Sequence, residues 1–212
     1  MKSNSLKLAK TSISDFHKSL MTYYDLCKIK QKEHVGFSAK KVGRITIPEF
    51  TIPKEHVEDR TILRDKKWGS KSKWRDYMQS QGYNKHNTIM QMVDHDKMPT
   101  PLMDVLSKLP IKYPVFSLNI QPPGATVPAH EDTWRIWYDK NPALAEKYTF
   151  ADTCFYIVFI TKQDTGHTFS AGTMSLTWEP GDVIEMPHYT NHATANSSFT
   201  PKMLVQCLGI KK

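Results

Sequence analysis

Cysteine is scarce in this chain: Cys27, Cys154 and Cys207 are the three among 212 residues, and they lie far apart. That excludes a disulfide-stapled scaffold and a CxxC zinc site, and it fits a reducing, cytoplasmic setting. No apolar run reaches the roughly 18 residues of a membrane-spanning helix, so no membrane partner is expected. The opening MKSNSLKLAKTSISDF has lysines but no apolar stretch, which predicts no secretory leader. Internal repeats and low-complexity tracts are absent, as are the RRM, KH, zinc-finger and helix-turn-helix signatures that mark nucleic-acid readers.

What is present is an ordinary soluble composition, 39% hydrophobic and 24% charged, in a length that suits one domain with decorations. The net charge of +8 is unevenly spread. Residues 1–80 carry a net of +9 and the remaining 132 a net of −1. A basic first third is suited to an acidic partner, whether nucleic acid or acidic protein. Lys66, Lys67, Trp68, Lys71, Lys73, Trp74 and Arg75 interleave base and aromatic, a pattern that can stack on unpaired bases. With no reader signature beside them, a solvated lysine-rich face is the simpler account.

Ile13, Phe16, Leu20, Tyr24 and Cys27 recur at helical spacing. A second helix is predicted over 73–81, ended by Gly82, and a short strand over 42–47. Thr100-Pro101 reads as a capping Thr with Pro at the first helical position; Leu102, Val105, Leu106 and Leu109 form the apolar face, and Pro110 ends it. From about residue 114 the period becomes that of strands: 115–121, 126–129, 154–161, 168–171, 173–178, 182–186, 192–195 and 202–210. Eight short strands over a hundred residues predict a mainly β protein, a double-stranded β-helix or jelly roll. Residues 1–110 are then a helical, basic extension packed on the core through Phe16, Leu20, Tyr24 and the 102–109 face. Residues 111–212 are the jelly-roll core, interrupted by a lid insertion at 133–152.

His130 and Asp132 stand at i and i+2, on one side of a strand. Imidazole and carboxylate on one face, joined by a second imidazole, make a 2-His-1-carboxylate set that leaves open positions on iron(II) for oxygen chemistry. His56-Val57-Glu58 is a decoy of similar pattern outside the strand series. Gly124 precedes His130 in a G-x5-H-x-D run, and Gly181 opens a G-x5-P-x4-H-x3-N run through Pro187, His192 and Asn196. Lys202 follows His192 by ten residues on the last predicted strand, and Gln206 shares its parity.

These two runs resemble the signature motifs of the cupin superfamily. Asp132 where cupins have a second His, and Lys202 beyond the distal His, resemble the iron/2-oxoglutarate oxygenase branch of that architecture. PPGATVPAH and GDVIEMPHYTNHATANSSFTPKMLV are similar to segments of the aspartyl/asparaginyl β-hydroxylases, and a lysine in the position of Lys202 is found in prolyl 4-hydroxylases. The resemblance covers roughly residues 115–210. It implies an Fe(II)/2-oxoglutarate-dependent dioxygenase that hydroxylates an amino acid, a peptide or protein side chain, or a nucleotide, with decarboxylation of 2-oxoglutarate to succinate. Fe(II) would be held by His130, Asp132 and His192, with His188 the other candidate for the distal ligand. Lys202 and Gln206 would hold 2-oxoglutarate; Trp134, Arg135 and His188 are candidate substrate contacts. A metal-dependent cupin enzyme, or a cupin-like binding protein, that does not use 2-oxoglutarate is the alternative.

Overall fold

Thr153–Phe159 reads TCFYIVF, apolar on both parities, and it is buried at every position. A strand of that composition must be covered on both faces, and this one lies in a sheet that is. The structure is a computed structural model that describes residues 12–14, 39–60, 76, 79–130, 132, 134–186 and 190–212. Its strands are β1 (Lys40–Arg44), β2 (Glu58–Asp59), β3 (Gln91–Asp94), β4 (Ile111–Gln121), β5 (Thr126–His130), β6 (Thr153–Phe159), β7 (His167–Ala171), β8 (Met174–Ser175), β9 (Asp182–Met186), β10 (His192–Asn196) and β11 (Lys202–Lys211). One sheet runs β1-β9-β6-β11-β4-β3-β2 and the other β5-β10-β7-β8. Every pairing is antiparallel.

Counted from β4, consecutive strands through β7 alternate between the two sheets, and the first pairs with the eighth, the second with the seventh. That is the winding of a double-stranded β-helix, the expected jelly roll. The space between the sheets is filled by Phe155, Ile157, Phe159, Phe169, Ile184, Met186, Leu204 and Leu208. The outer face of the seven-stranded sheet is covered by helix α1 (Thr100–Leu106), whose Leu102 and Leu106 are fully buried against Phe116, Leu118, Val158 and Val205. Each such leucine stabilises the layer by about 1.5–3 kcal/mol. Thr100 is the first helical residue rather than the cap: Pro99 occupies the cap position and no side chain caps the turn.

Two expectations shift. The sheet does not respect a boundary at residue 110, because β1, β2 and β3 all precede it and belong to the seven-stranded sheet. The lid insertion contains two short helices, α2 (Arg135–Lys140) and α3 (Pro142–Ala145), and it is packed down. Trp134 meets Trp137 and Phe150 edge-on, and Trp137 Nε1 donates to the Tyr113 carbonyl at 2.9 Å. The predicted helix over Ile13–Cys27, apart from residues 13 and 14, and most of the predicted helix over 73–81 lie outside the described residues, as do Trp68 and Trp74. Among the described residues no helix is long and apolar enough to cross a membrane.

Two motif glycines have steric reasons. Gly124 has φ +78 in the Pro122–Ala125 turn, where Ala125 N–H donates to the Pro122 carbonyl. A Cβ on Gly181 would stand 1.8 Å from the Ile45 carbonyl oxygen, so only glycine lets the chain after β1 lie against it. Asp182 beside it is buried and accepts from Arg44 Nε at 2.6 Å, Lys41 Nζ at 2.8 Å and the Glu179 N–H at 3.1 Å. Burial alone would raise its pKa, but the donors outweigh it and hold the carboxyl at about 2. Because the folded value lies below the ordinary 3.8, this stability is present above pH 3.8 and is lost as pH falls toward 2. Asp182→Asn should therefore cost about 1–2 kcal/mol at pH 7, and urea titrations of the two proteins should converge near pH 2.

Candidate metal centre

β5 and β10 are neighbours, and their register sets His192 opposite His130. The ring centroids are 4.3 Å apart. Asp132, two residues beyond His130, lies over the pair: its Oδ1 is 3.8 Å from His130 Nε2 and its Oδ2 is 3.6 Å from His192 Nε2. One ligand atom from each of the three residues lies within 4.8 Å of the others. Among the described residues this is the cluster that could hold a metal ion.

Both imidazoles are oriented by backbone. His130 Nδ1 donates to the Pro128 carbonyl at 2.8 Å and His192 Nδ1 to the Thr190 carbonyl at 2.9 Å. A carbonyl only accepts, so Nδ1 of each ring carries a proton, and in the neutral ring Nε2 is the free ligand atom, turned toward the carboxylate. His192 is further fixed by its packing, stacked on Phe169 and edge-on to Phe155. Burial, with the neighbouring His192, pushes His130 down to about 4, so it is neutral at pH 7, the state a metal requires. Asp132 and His130 keep 23% and 15% of their side-chain surface exposed, whereas His192 keeps 3%, so the centre opens on the β5 side.

Lys202 extends from β11 into the same interior and is 1% exposed. Its Nζ donates to the Thr168 carbonyl at 2.7 Å, the Ala195 carbonyl at 2.8 Å and Thr194 Oγ1. All three acceptors are neutral. Burial pushes its pKa down to about 7. Thr194 is two residues past His192 on β10, about 7 Å along the strand, so the ammonium lies one pleat deeper than the triad. Gln206 has the same parity but another partner: its Nε2 donates to Asp132 Oδ2 at 3.0 Å.

Other predicted residues go elsewhere. Arg135 is exposed, paired with Asp139 at 2.7 Å and lying over the Tyr138 ring; one helical turn fixes it on the surface of the insertion. Trp134 is 1% exposed and belongs to the apolar cluster under the insertion, where covering the core outweighs contact with a ligand. His188 lies outside the described residues. The His56/Glu58 decoy is a surface arrangement: His56 Nδ1 meets the Lys97 carbonyl, and Glu58 pairs with Lys97 and Arg60.

A Ser–His pair that sequence reading missed, Ser198 Oγ to His167 Nε2 at 2.8 Å, is not a nucleophile. His167 Nδ1 accepts the Asp164 N–H, and Nε2 faces the Thr200 carbonyl at 3.1 Å, so Nε2 bears the proton and cannot take one from serine. An open groove of about 1020 Å³ runs between residues 48–53 and 97–101. It abuts Ile160 and Met203 on the outer side of the large sheet, the face opposite the triad.

These features define a jelly roll with a His-Asp-His centre at one mouth. No protein-family model matches the chain, and no curated protein matches it. Several solved structures resemble it slightly. A predicted oxalate decarboxylase from Thermotoga maritima is 12% identical, with a TM-score of 0.35, over 57% of this chain and 81% of its own. A cupin 2 conserved barrel domain protein from Salinispora arenicola is 11% identical, with a TM-score of 0.35, over 61% and 82%. YcfD, a ribosomal oxygenase from Escherichia coli, is 16% identical, with a TM-score of 0.37, over 61% of this chain and 33% of its own. The strand order above, rather than these slight likenesses, defines the fold.

Two imidazoles and one carboxylate, all on one side and all with a lone pair available, suit a divalent first-row metal. His192→Ala or Asp132→Ala should weaken Mn(II) binding by at least about a hundredfold, whereas His56→Ala should leave it unchanged; calorimetric titration of the metal-free proteins measures both.

Proposed function

We propose that this protein is a non-haem Fe(II)- and 2-oxoglutarate-dependent dioxygenase that hydroxylates an amino acid, a peptide or protein side chain, or a nucleotide. The observation that carries this reading is Lys202: a buried ammonium without an acidic partner among its contacts, facing the same interior as a 2-His-1-carboxylate donor set. Burying a cation against neutral acceptors alone is costly. A dicarboxylate reaching from the triad to Lys202 would remove that cost and would receive a charge-assisted hydrogen bond in return.

In this reading His130, Asp132 and His192 hold iron(II). The bound metal, with 2-oxoglutarate and oxygen, supplies the oxidising chemistry. The chain's own contribution is geometric. The Pro128 and Thr190 carbonyls take the Nδ1 side of each ring and leave both Nε2 atoms aimed at one point. Phe155 and Phe169 exclude water from the inner side of His192. Lys202 fixes the far carboxylate of the cosubstrate, and the open β5 side leaves the primary substrate a route to the centre.

One observation favours the second reading, a cupin-type metal protein that does not use 2-oxoglutarate. Lys202 Nζ already has three acceptors, so its hydrogen-bonding capacity can be satisfied without a ligand. The two readings separate on binding. In the first, anaerobic titration of the Fe(II) protein with 2-oxoglutarate saturates, and admitting oxygen releases succinate. Lys202→Ala then weakens 2-oxoglutarate by roughly ten- to a thousand-fold, at about 1.4 kcal/mol per tenfold, without changing metal affinity. Lys202→Arg restores binding only in part, its head being longer and planar.

The pH dependence is a further check. With a ligand-free pKa of about 7 against an ordinary 10.5, Lys202 costs the folded protein most below pH 7, and ligand-free stability should rise between pH 7 and 10.5. Dianion binding favours the ammonium, so 2-oxoglutarate affinity should fall as pH rises above 7, by up to about tenfold per unit. A flat profile from pH 7 to 9, with Lys202→Ala binding normally, would favour the second reading.

A further inference from the structure

The three ligands of the candidate centre are not held equally. His130 closes β5 and His192 opens β10, so strand pairing fixes both backbones, and each ring is tied at Nδ1 to a carbonyl two residues back. Asp132 lies beyond the end of β5, with no ladder of its own. Among the described residues its side-chain hydrogen bond comes from the opposite sheet: Gln206, in the middle of β11, donates from Nε2 to Asp132 Oδ2 at 3.0 Å. β11 is the strand best able to impose a position, being paired along its length with both β4 and β6.

The amide is itself oriented. Ser117 stands opposite Gln206 on β4, and its Oγ donates to Gln206 Oε1 at 3.4 Å. A carboxylate is acceptor-only, so Nε2 must face Asp132 and Oε1 must face the hydroxyl. The chain Ser117–Gln206–Asp132 thus sets the rotation of the carboxylate, holding Oδ2 and turning Oδ1 toward His130 Nε2. From this geometry we infer that Gln206 is a positioning residue for the metal-ligating carboxylate, and that Ser117 orients it. Gln206 therefore acts on metal affinity through Asp132 and not as a contact for 2-oxoglutarate. The inference rests on the proposed metal site but is independent of the cosubstrate.

The test uses Mn(II) as probe under anaerobic conditions, with wild type, Gln206→Met and Ser117→Ala, and reads metal affinity, then 2-oxoglutarate affinity at saturating Mn(II), then the melting temperature of the metal-free proteins. Gln206→Met keeps the length and removes the donor. It should bind Mn(II) about ten- to a hundredfold more weakly, with 2-oxoglutarate affinity at saturating metal and metal-free melting both close to wild type. Ser117→Ala should show a smaller loss of the same kind, about two- to tenfold, and it decides the matter if Gln206→Met does not fold. Unchanged Mn(II) affinity in the variants overturns the inference. So does a loss confined to 2-oxoglutarate binding, which would return Gln206 to the cosubstrate. Wild type that binds Mn(II) but not 2-oxoglutarate would sink the oxygenase reading and leave this inference standing. Wild type that binds no Mn(II) would remove both.

Discussion

The register between β5 and β10 is the constraint from which the site follows. These strands are about sixty residues apart in the chain, and the winding of the roll makes them neighbours. Because side chains alternate along a strand, a slip of one residue would turn His192 out of the interior and bring Ala193 to His130. Asp132, just beyond the end of β5, then lies over the two rings with its Oδ2 held by Gln206 of β11. On the same parity, His192 and Thr194 lie one pleat apart, which puts the reach of Lys202 just beyond the centre. One correct pairing thus places both imidazoles, and the carboxylate adds a contact to the opposite sheet through Gln206.

The electrostatics of the interior are divided along its length. At the mouth, burial keeps His130 neutral while Asp132 retains some exposure, so the one anionic ligand is also the best solvated. Deeper in, the same burial acts on an ammonium and pushes it down to about 7. The amine of Lys202 inside and the carboxylate of Asp132 near the surface give the interior of the roll opposite charge preferences at its two levels. Amides from β4 and β11 line one wall, with Asn119 and Gln121 both buried, while Phe155, Ile157 and Phe159 of β6 line the apolar one.

The strands of the core are legible as short β-rich runs bounded by Gly, Pro and Asn turns rather than by alternation, and the strand predicted over 182–186 coincides with Asp182–Met186. β2 and β3 have no counterpart in the sequence pattern, since two- and four-residue strands carry too little of it to separate from loop, and β1 starts and ends two to three residues before the predicted 42–47 strand. His130 and His192 lie on paired strands, while Asp132 reaches them from the loop beyond β5, so the expectation of a shared strand face does not account for it. The inward parity of Lys202 and Gln206 on β11 is legible from spacing. Parity gives a face but no partner, so the bond from Gln206 to Asp132 is not legible in spacing: it depends on how far a loop residue leans toward the opposite sheet. Arg135 and Trp134 were drawn to the site by proximity in sequence to Asp132. A helical turn starting at residue 135 carries Arg135 outward, and Trp134 adopts φ +61 to bury its ring.

The motif residues around the ligands divide by what they touch. Gly181 and Asp182 hold β1 to β9, through a close approach and an ion cluster. Asn196 Nδ2 donates to the Gln121 and Thr200 carbonyls, and its own carbonyl accepts the Gly124 N–H, so it ties three turns together at the end of the roll opposite the triad. Ser198 and His167 complete that knot. Much of the motif pattern is therefore the chemistry of closing this jelly roll. Reaction type has to be argued from the residues such closure does not require. Those are the His130–Asp132–His192 set and a lysine whose burial is costly unless an anion meets it.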